Sequence, residues 1–125
     1  MAVRLEHDLL GDRNVPSDAY YGIQTLRATE NYQVTDIPIS HFPNFPRALA
    51  MVKKAAALAN VEMKLIPNEI GDAIVRACDD IIAGELFDQF VVDMIQGGAG
   101  TSTNMNANEV IANRALEHLG EPKGN

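Results

Sequence analysis

The stretch FPRALAMVKKAAALANVEMK, residues 45–64, decides the fold class. It is rich in alanine and in straight-chain side chains, which favour helix. Leu49, Val52, Ala56, Ala59 and Met63 recur at steps of three and four, so the spacing predicts one apolar stripe along a helix. Pro46 suits a first helical turn, where its missing N–H costs nothing. Pro67 ends the run and opens another. Ile70, Ile74, Ala77 and Ile81 share a face of this second helix, and Gly84 is its natural stop. The short connection predicts an antiparallel helix pair.

Working outward, residues 1–16 read as a small hairpin. Val3 and Leu5 alternate with Arg4 and Glu6, Leu-Leu-Gly-Asp supplies the break, and Val15-Pro16 closes it. Residues 17–44 carry prolines and little periodicity, and are expected to be mostly loop, with a helical turn within YYGIQTLRATENY. Residues 85–96, ELFDQFVVDMIQ, fit either a short strand or a buried connector. A third helix is expected from about Ser102 to Leu119, with Val110, Ile111, Ala115 and Leu119 on its apolar side and Gly120 to Pro122 as terminator. The expected fold is therefore mainly α, with a small N-terminal β-hairpin and extended segments followed by about three helices, in one domain of 125 residues. The closing EPKGN adds no element, so the unit is expected to be a piece of something longer.

Composition excludes some functions. The net charge is −7, with no basic run to mark a nucleic-acid surface. No stretch of about 18 apolar residues exists, so no membrane span is expected, and the charged N-terminus lacks the core of a secretory signal. A single cysteine, Cys78, forbids an internal disulfide and reads as a small buried hydrophobe. A cytoplasmic location is expected.

The most specific signal is GGAGTSTNMNANEV, residues 97–110. A phosphate-binding P-loop needs Lys after its last glycine, and Gly100 is followed by Thr101. A dinucleotide fingerprint needs a third glycine, and Thr103 stands there. What remains is a glycine-stripped approach to a helix start, where unpaired N–H groups and the helix dipole favour an anion. Thr101, Ser102 and Thr103 add hydroxyls, while Thr101, Asn104 and Asn108 share one uncharged polar face. The alternative is plain capping: Ser, Thr and Asn are preferred N-caps, and Asn106 with Glu109 has the spacing of a capping box. The residues alone leave both open. His118 falls in a last helical turn, where a cation is favoured, and neither it nor His7 and His41 belongs to a cluster with metal-ligand spacing.

Three stretches carry a resemblance to a known family: residues 4–32, RLEHDLLGDRNVPSDAYYGIQTLRATENY; 51–60, MVKKAAALAN; and 88–117, DQFVVDMIQGGAGTSTNMNANEVIANRALE. Together they resemble the N-terminal domain of the aspartase/fumarase superfamily over essentially the whole chain. Gly98-Ala99-Gly100-Thr101-Ser102 has the aspartase form, where fumarases typically read Gly-Ser-Gly-Thr-Gln. The resemblance implies a parent enzyme that removes ammonia from L-aspartate to give fumarate, through a carbanion stabilised as an aci-carboxylate. It implies that Thr101 binds a substrate carboxylate and that Ala99 and Gly100 bring backbone close to it; Ser102 and Asn104 are added as neighbouring polar groups expected to assist. It matches Arg27 to an arginine acting near substrate or activator, against the plainer reading of a salt bridge. It implies no cofactor, a divalent metal at most as activator of the parent, and a homotetramer whose sites draw on three subunits. The family's serine base lies in a signature absent from this chain, so these residues alone are expected to be inactive. The competing readings are a fumarase-type hydratase fragment and a non-catalytic helical binding module.

Overall fold

A computed structural model describes all residues, 1–125. Strands β1 (Val3–Asp8) and β2 (Gly11–Pro16) pair antiparallel, from Val3 opposite Pro16 to Asp8 opposite Gly11. Gly11 closes the turn at φ +104, a backbone region open to glycine. Four helices follow: α1 (Ile23–Asn31), α2 (Asn44–Glu62), α3 (Asn68–Ile82) and α4 (Thr101–His118). The mainly helical class with its small hairpin is as the sequence predicts. The count differs, because residues 23–31 form a full helix of nine residues rather than a turn within a loop.

The Arg4 side chain fixes the hairpin to the segment after it. It donates to the carbonyls of Pro16 (2.9 Å), Ser17 (3.3 Å), Ala19 (2.8 Å) and Tyr21 (2.7 Å) and pairs with Glu6 at 2.8 Å. The His7–Asp12 pair on the same hairpin is 75% and 60% exposed. Such exposed pairs contribute about 0–1 kcal/mol, so Arg4 is the stronger tie.

Helices α2 and α3 are antiparallel. Arg47, early in α2, donates to the carbonyl of Ile82 at the end of α3 (3.0 Å). At the other end a Cβ on Gly71 would stand 2.1 Å from Val61 Cγ2, so the helices meet there through a missing side chain. The predicted stripe on α2 is corrected. Val52, Ala56, Ala59 and Met63 are exposed, and Ala50 and Ala57 are buried instead. The helix is apolar on more than one face, so periodicity does not select between them. Close approach does: Ala50 and Ala57 are small enough to let neighbouring backbones near, as are Ala73 and Ala77 of α3. On α3, Ala77 and Ile81 are buried and Ile74 is half-buried, while Ile70 is exposed. On α4, Val110, Ile111 and Ala115 are buried and Leu119 is half-buried, as expected. Cys78 is fully buried, and burial pushes its thiol up to about 11.

Residues 85–96 are a connector with one short 3-10 turn, Phe87–Gln89, and no strand. Phe90 and Val92 are fully buried in the core formed with α2, α3 and α4. The connector runs beside residues 37–40 through three backbone bonds: Ile39 N–H to Val92 O (2.9 Å), Ser40 N–H to Phe90 O (3.2 Å) and Met94 N–H to Ile37 O (2.9 Å). Asn106 of α4 is fully buried and clamps it, donating to Gln89 O (2.9 Å) and accepting from Val92 N–H (3.4 Å). The capping-box reading of Asn106 with Glu109 is thereby corrected: both side chains serve other elements. No helix is long and apolar enough to cross a membrane.

Candidate functional site

The glycine stretch makes a sharp approach to α4. Gly98, Ala99 and Gly100 all take positive φ, at 84, 55 and 83°. Two are glycine, so the left-handed backbone costs little there, and Gly100 is the N-cap of α4 with no side chain to cap it. Helix α4 begins at Thr101, one residue earlier than the sequence suggests. Its first N–H groups are only partly satisfied. The Thr101 N–H donates to Gly98 O at 3.1 Å, and the Thr103 N–H donates to the Gln96 side-chain oxygen at 2.8 Å. The N–H groups of Gly100 and Ser102 have no partner within the chain. The dipole of an 18-residue helix converges on them.

This helix start opens into a cleft of about 620 Å³. One wall is loop 97–98 with Thr101 and Ser102, and the other is α1 with Gln24 and Arg27, continued by Tyr32 just past its end. Thr101 is exposed, and its hydroxyl donates to Gly98 O at 2.6 Å. Ser102 is half-buried. Arg27 faces the same cleft, joined to Asp8 by two bonds of 2.8 and 2.9 Å and to Gly11 O at 2.9 Å. The hydrogen bond from Arg27 holds the Asp8 carboxyl below the usual range. The guanidinium keeps Nη1 free of any bond within the chain. Arg27 thus forms the salt bridge of the plainer reading while also lining this cleft.

The remaining expected residues divide. Ala99 and Gly100 form the exposed rim of the glycine turn. Asn104 turns away: its side chain accepts from Lys53 Nζ of α2 at 2.6 Å, and it does not line the cleft. Asn108 lies in a separate apolar groove between α2, α3 and α4. The expected polar face of Thr101, Asn104 and Asn108 therefore does not form one pocket wall. His118 is bound to Asp80 at 2.8 Å, beside Arg114, which also pairs with Asp80 at 2.7 Å. His7 pairs with Asp12, and His41 stacks edge-on against Phe42.

Sequence reasoning missed two carboxylates that hold the α1 wall. Glu109 of α4 accepts from Gln24 N–H (3.0 Å), Thr25 N–H (2.8 Å) and the Thr25 hydroxyl (2.6 Å), at the first turn of α1. Glu6 accepts from Ile23 N–H at 2.8 Å. Gly22 precedes them, and a Cβ there would stand 2.2 Å from Glu109 Oε2 and 2.8 Å from Glu6 Oε2. Just past the other end of α1, Asp93 is buried and accepts five bonds, from the N–H groups of Val34, Thr35, Asp36 and Ile95 and the hydroxyl of Thr35. No local spacing signals these ties: the partners of Glu109 and Asp93 lie 57 to 85 residues away, Ile95 excepted, and Ile23 lies 17 beyond Glu6.

With this geometry in view, the comparisons with known proteins are specific. The sequence model of a lyase family matches residues 11–124. An aspartate ammonia-lyase of Bacillus sp is 59% identical over 98% of this chain and 26% of its own length. A fumarate lyase:delta crystallin from Brucella melitensis, solved bound to cobalt, superposes with a TM-score of 0.98 at 63% identity, over 99% of this chain and 27% of its own. A class II fumarase from Schistosoma mansoni superposes at 0.88 with 36% identity, over 99% of this chain and 26% of its own. The chain thus spans about a quarter of the length of these proteins.

Proposed function

The chain belongs to the lyase family, and from that premise we propose that it forms the N-terminal domain of an ammonia-lyase that converts L-aspartate to fumarate and ammonia. Its part is one wall of the active site, the wall that receives a substrate carboxylate. The observation that carries this reading is the cleft at the start of α4, which gathers Thr101, Ser102, unpaired backbone N–H groups and the guanidinium of Arg27. The aspartase form of residues 98–102 and the 59% identity to an aspartate ammonia-lyase support the same choice over a hydratase.

In this reading a base outside these residues removes a proton from the carbon beside the β-carboxylate. Negative charge then grows on that carboxylate. Neutral N–H and hydroxyl donors aimed at it lower the barrier because they strengthen as the charge develops. The Thr101 hydroxyl donates to Gly98 O, so it must turn from that carbonyl to donate to a substrate carboxylate. The base, the rest of the pocket and the partner subunits belong to the longer polypeptide, assembled as a cytoplasmic homotetramer. A divalent metal enters this scheme only as an activator of that assembly.

The test is Thr101→Ala in the full-length lyase containing these residues. Ammonia release from aspartate should fall about 10²-fold, the usual loss when one charge-stabilising donor is removed, with melting temperature preserved. Unchanged ammonia release would overturn the reading. Water addition to fumarate, assayed in parallel on the unsubstituted protein, should be negligible; a hydration rate above the ammonia-release rate would assign the parent to the hydratases.

A further inference from the structure

Thr101 and Arg27 stand on different helices, so their separation depends on what holds α1 against α4. Glu109 lies on α4 eight positions beyond Thr101, about 12 Å along the axis at 1.5 Å per residue. Its carboxylate leaves α4 and ends on the first turn of α1, at Gln24 and Thr25. Thr25 is fully buried, so this is an internal tie rather than a surface contact. Arg27 follows within the same turn of α1.

The usual way to cap a helix is a Ser, Thr, Asp or Asn at the N-cap itself. Here that position is Gly22, and there is no room for even a Cβ. The cap comes instead from the opposite wall of the cleft. It is a costly arrangement, because Glu109 lies beside a second carboxylate, Glu6. A cap needed only for helix stability requires none of this.

We propose that Glu109 is a positioning residue of the cleft: its three bonds to Gln24 and Thr25 fix α1 against α4 and so set the distance between Arg27 and the Thr101 helix start. It touches neither substrate nor reacting atoms and acts through α1. The proposal rests on the cleft being the carboxylate site.

The test uses the full-length lyase with Thr25→Val, Thr25→Ser and Glu109→Gln. Valine keeps the shape of Thr25 and removes the hydroxyl donor; serine keeps the donor. Glutamine keeps the length of Glu109 and places an N–H₂ against an N–H donor. Kinetics with aspartate and melting curves are read together. Thr25→Val and Glu109→Gln should lower kcat/KM about tenfold, chiefly through KM, while Thr25→Ser stays within about twofold. A fall in melting temperature with KM unchanged would assign Glu109 a structural role and overturn the proposal. Should Glu109→Gln fail to fold, the Thr25 pair decides alone. Thr101→Ala is run beside them. Loss of activity there with KM unchanged in Thr25→Val overturns the positioning role and leaves the cleft reading intact. Full activity in Thr101→Ala overturns both.

Discussion

The start of α1 and the loop just past its end are each held by an acidic side chain from a distant part of the sequence, and the two buried carboxylates shift in opposite directions. At the start, burial pushes the Glu109 carboxyl above its ordinary 4.5, and the bonds from Thr25 and Gln24 only partly offset it; the neighbouring charge of Glu6 pushes the same way. Beyond the end, burial also pushes Asp93 upward, but the N–H groups of Ile95, Thr35 and Asp36 with the Thr35 hydroxyl outweigh it and hold the carboxyl well below 3.8. Asp93 has five donors and Glu109 has three. The difference teaches that burial alone does not set the direction. The number of donors aimed at the charge does. Asp93 anchors structure, whereas Glu109 sits in an uneasier place, at the joint between the cleft walls.

The largest expected effect is Asp93→Ala, which leaves four backbone N–H groups without their acceptor. Melting temperature should fall by roughly 10 °C or more. Glu109→Ala removes a helix cap and should cost about 2 kcal/mol, read by chemical denaturation. An equal or larger loss from Glu109→Ala would break the comparison.

A pH series sharpens it. Asp93 has a lowered folded pKa, so its contribution is present above 3.8 and is lost as pH falls through the folded value. Glu109 has a raised folded pKa, so its contribution is complete below 4.5 and is lost as pH rises through the folded value. The destabilisation by Asp93→Asn should therefore grow as pH rises, and that by Glu109→Gln should shrink. Parallel curves for the two variants would remove the distinction.

The smallest effect comes from the two threonine hydroxyls. Thr25→Val removes one of three donors to Glu109 and should cost about 1 kcal/mol. Thr35→Val removes one of five to Asp93 and should cost less, because the N–H groups remain. Thermal melts of both variants, compared side by side, give the order.

Much of this molecule was legible in its residues. The helices α2, α3 and α4 follow from periodicity, Pro67 and the glycines, and the hairpin from alternation around Gly11. The glycine-stripped approach to α4 was legible as well, although the left-handed backbone shared by Gly98, Ala99 and Gly100 was not, since Ala99 carries no local signal for it. Yet the face α2 buries was misread, since alanine is apolar wherever it points and only the neighbouring backbone decides which alanines are needed small. Helix α1 reads in the sequence as no more than a turn within loop for a plainer reason: its caps are not next to it. Gly22 offers no side chain, and the acceptors that complete the first turn come from Glu6 and Glu109.

The same division runs through the site. Residues 97–103 by themselves determined a glycine-stripped approach to a helix start lined with hydroxyls, because chain flexibility and dipole are local properties; which N–H groups stay free was decided by the fold, where Gln96 takes that of Thr103 and those of Gly100 and Ser102 remain unpaired. That Arg27 shares the cleft with Thr101, and that Asn104 does not, was settled only by the packing of α1 and α2 on α4. Side chains separated by tens of positions meet through the paths of the helices that carry them, and spacing along the chain holds no record of those paths.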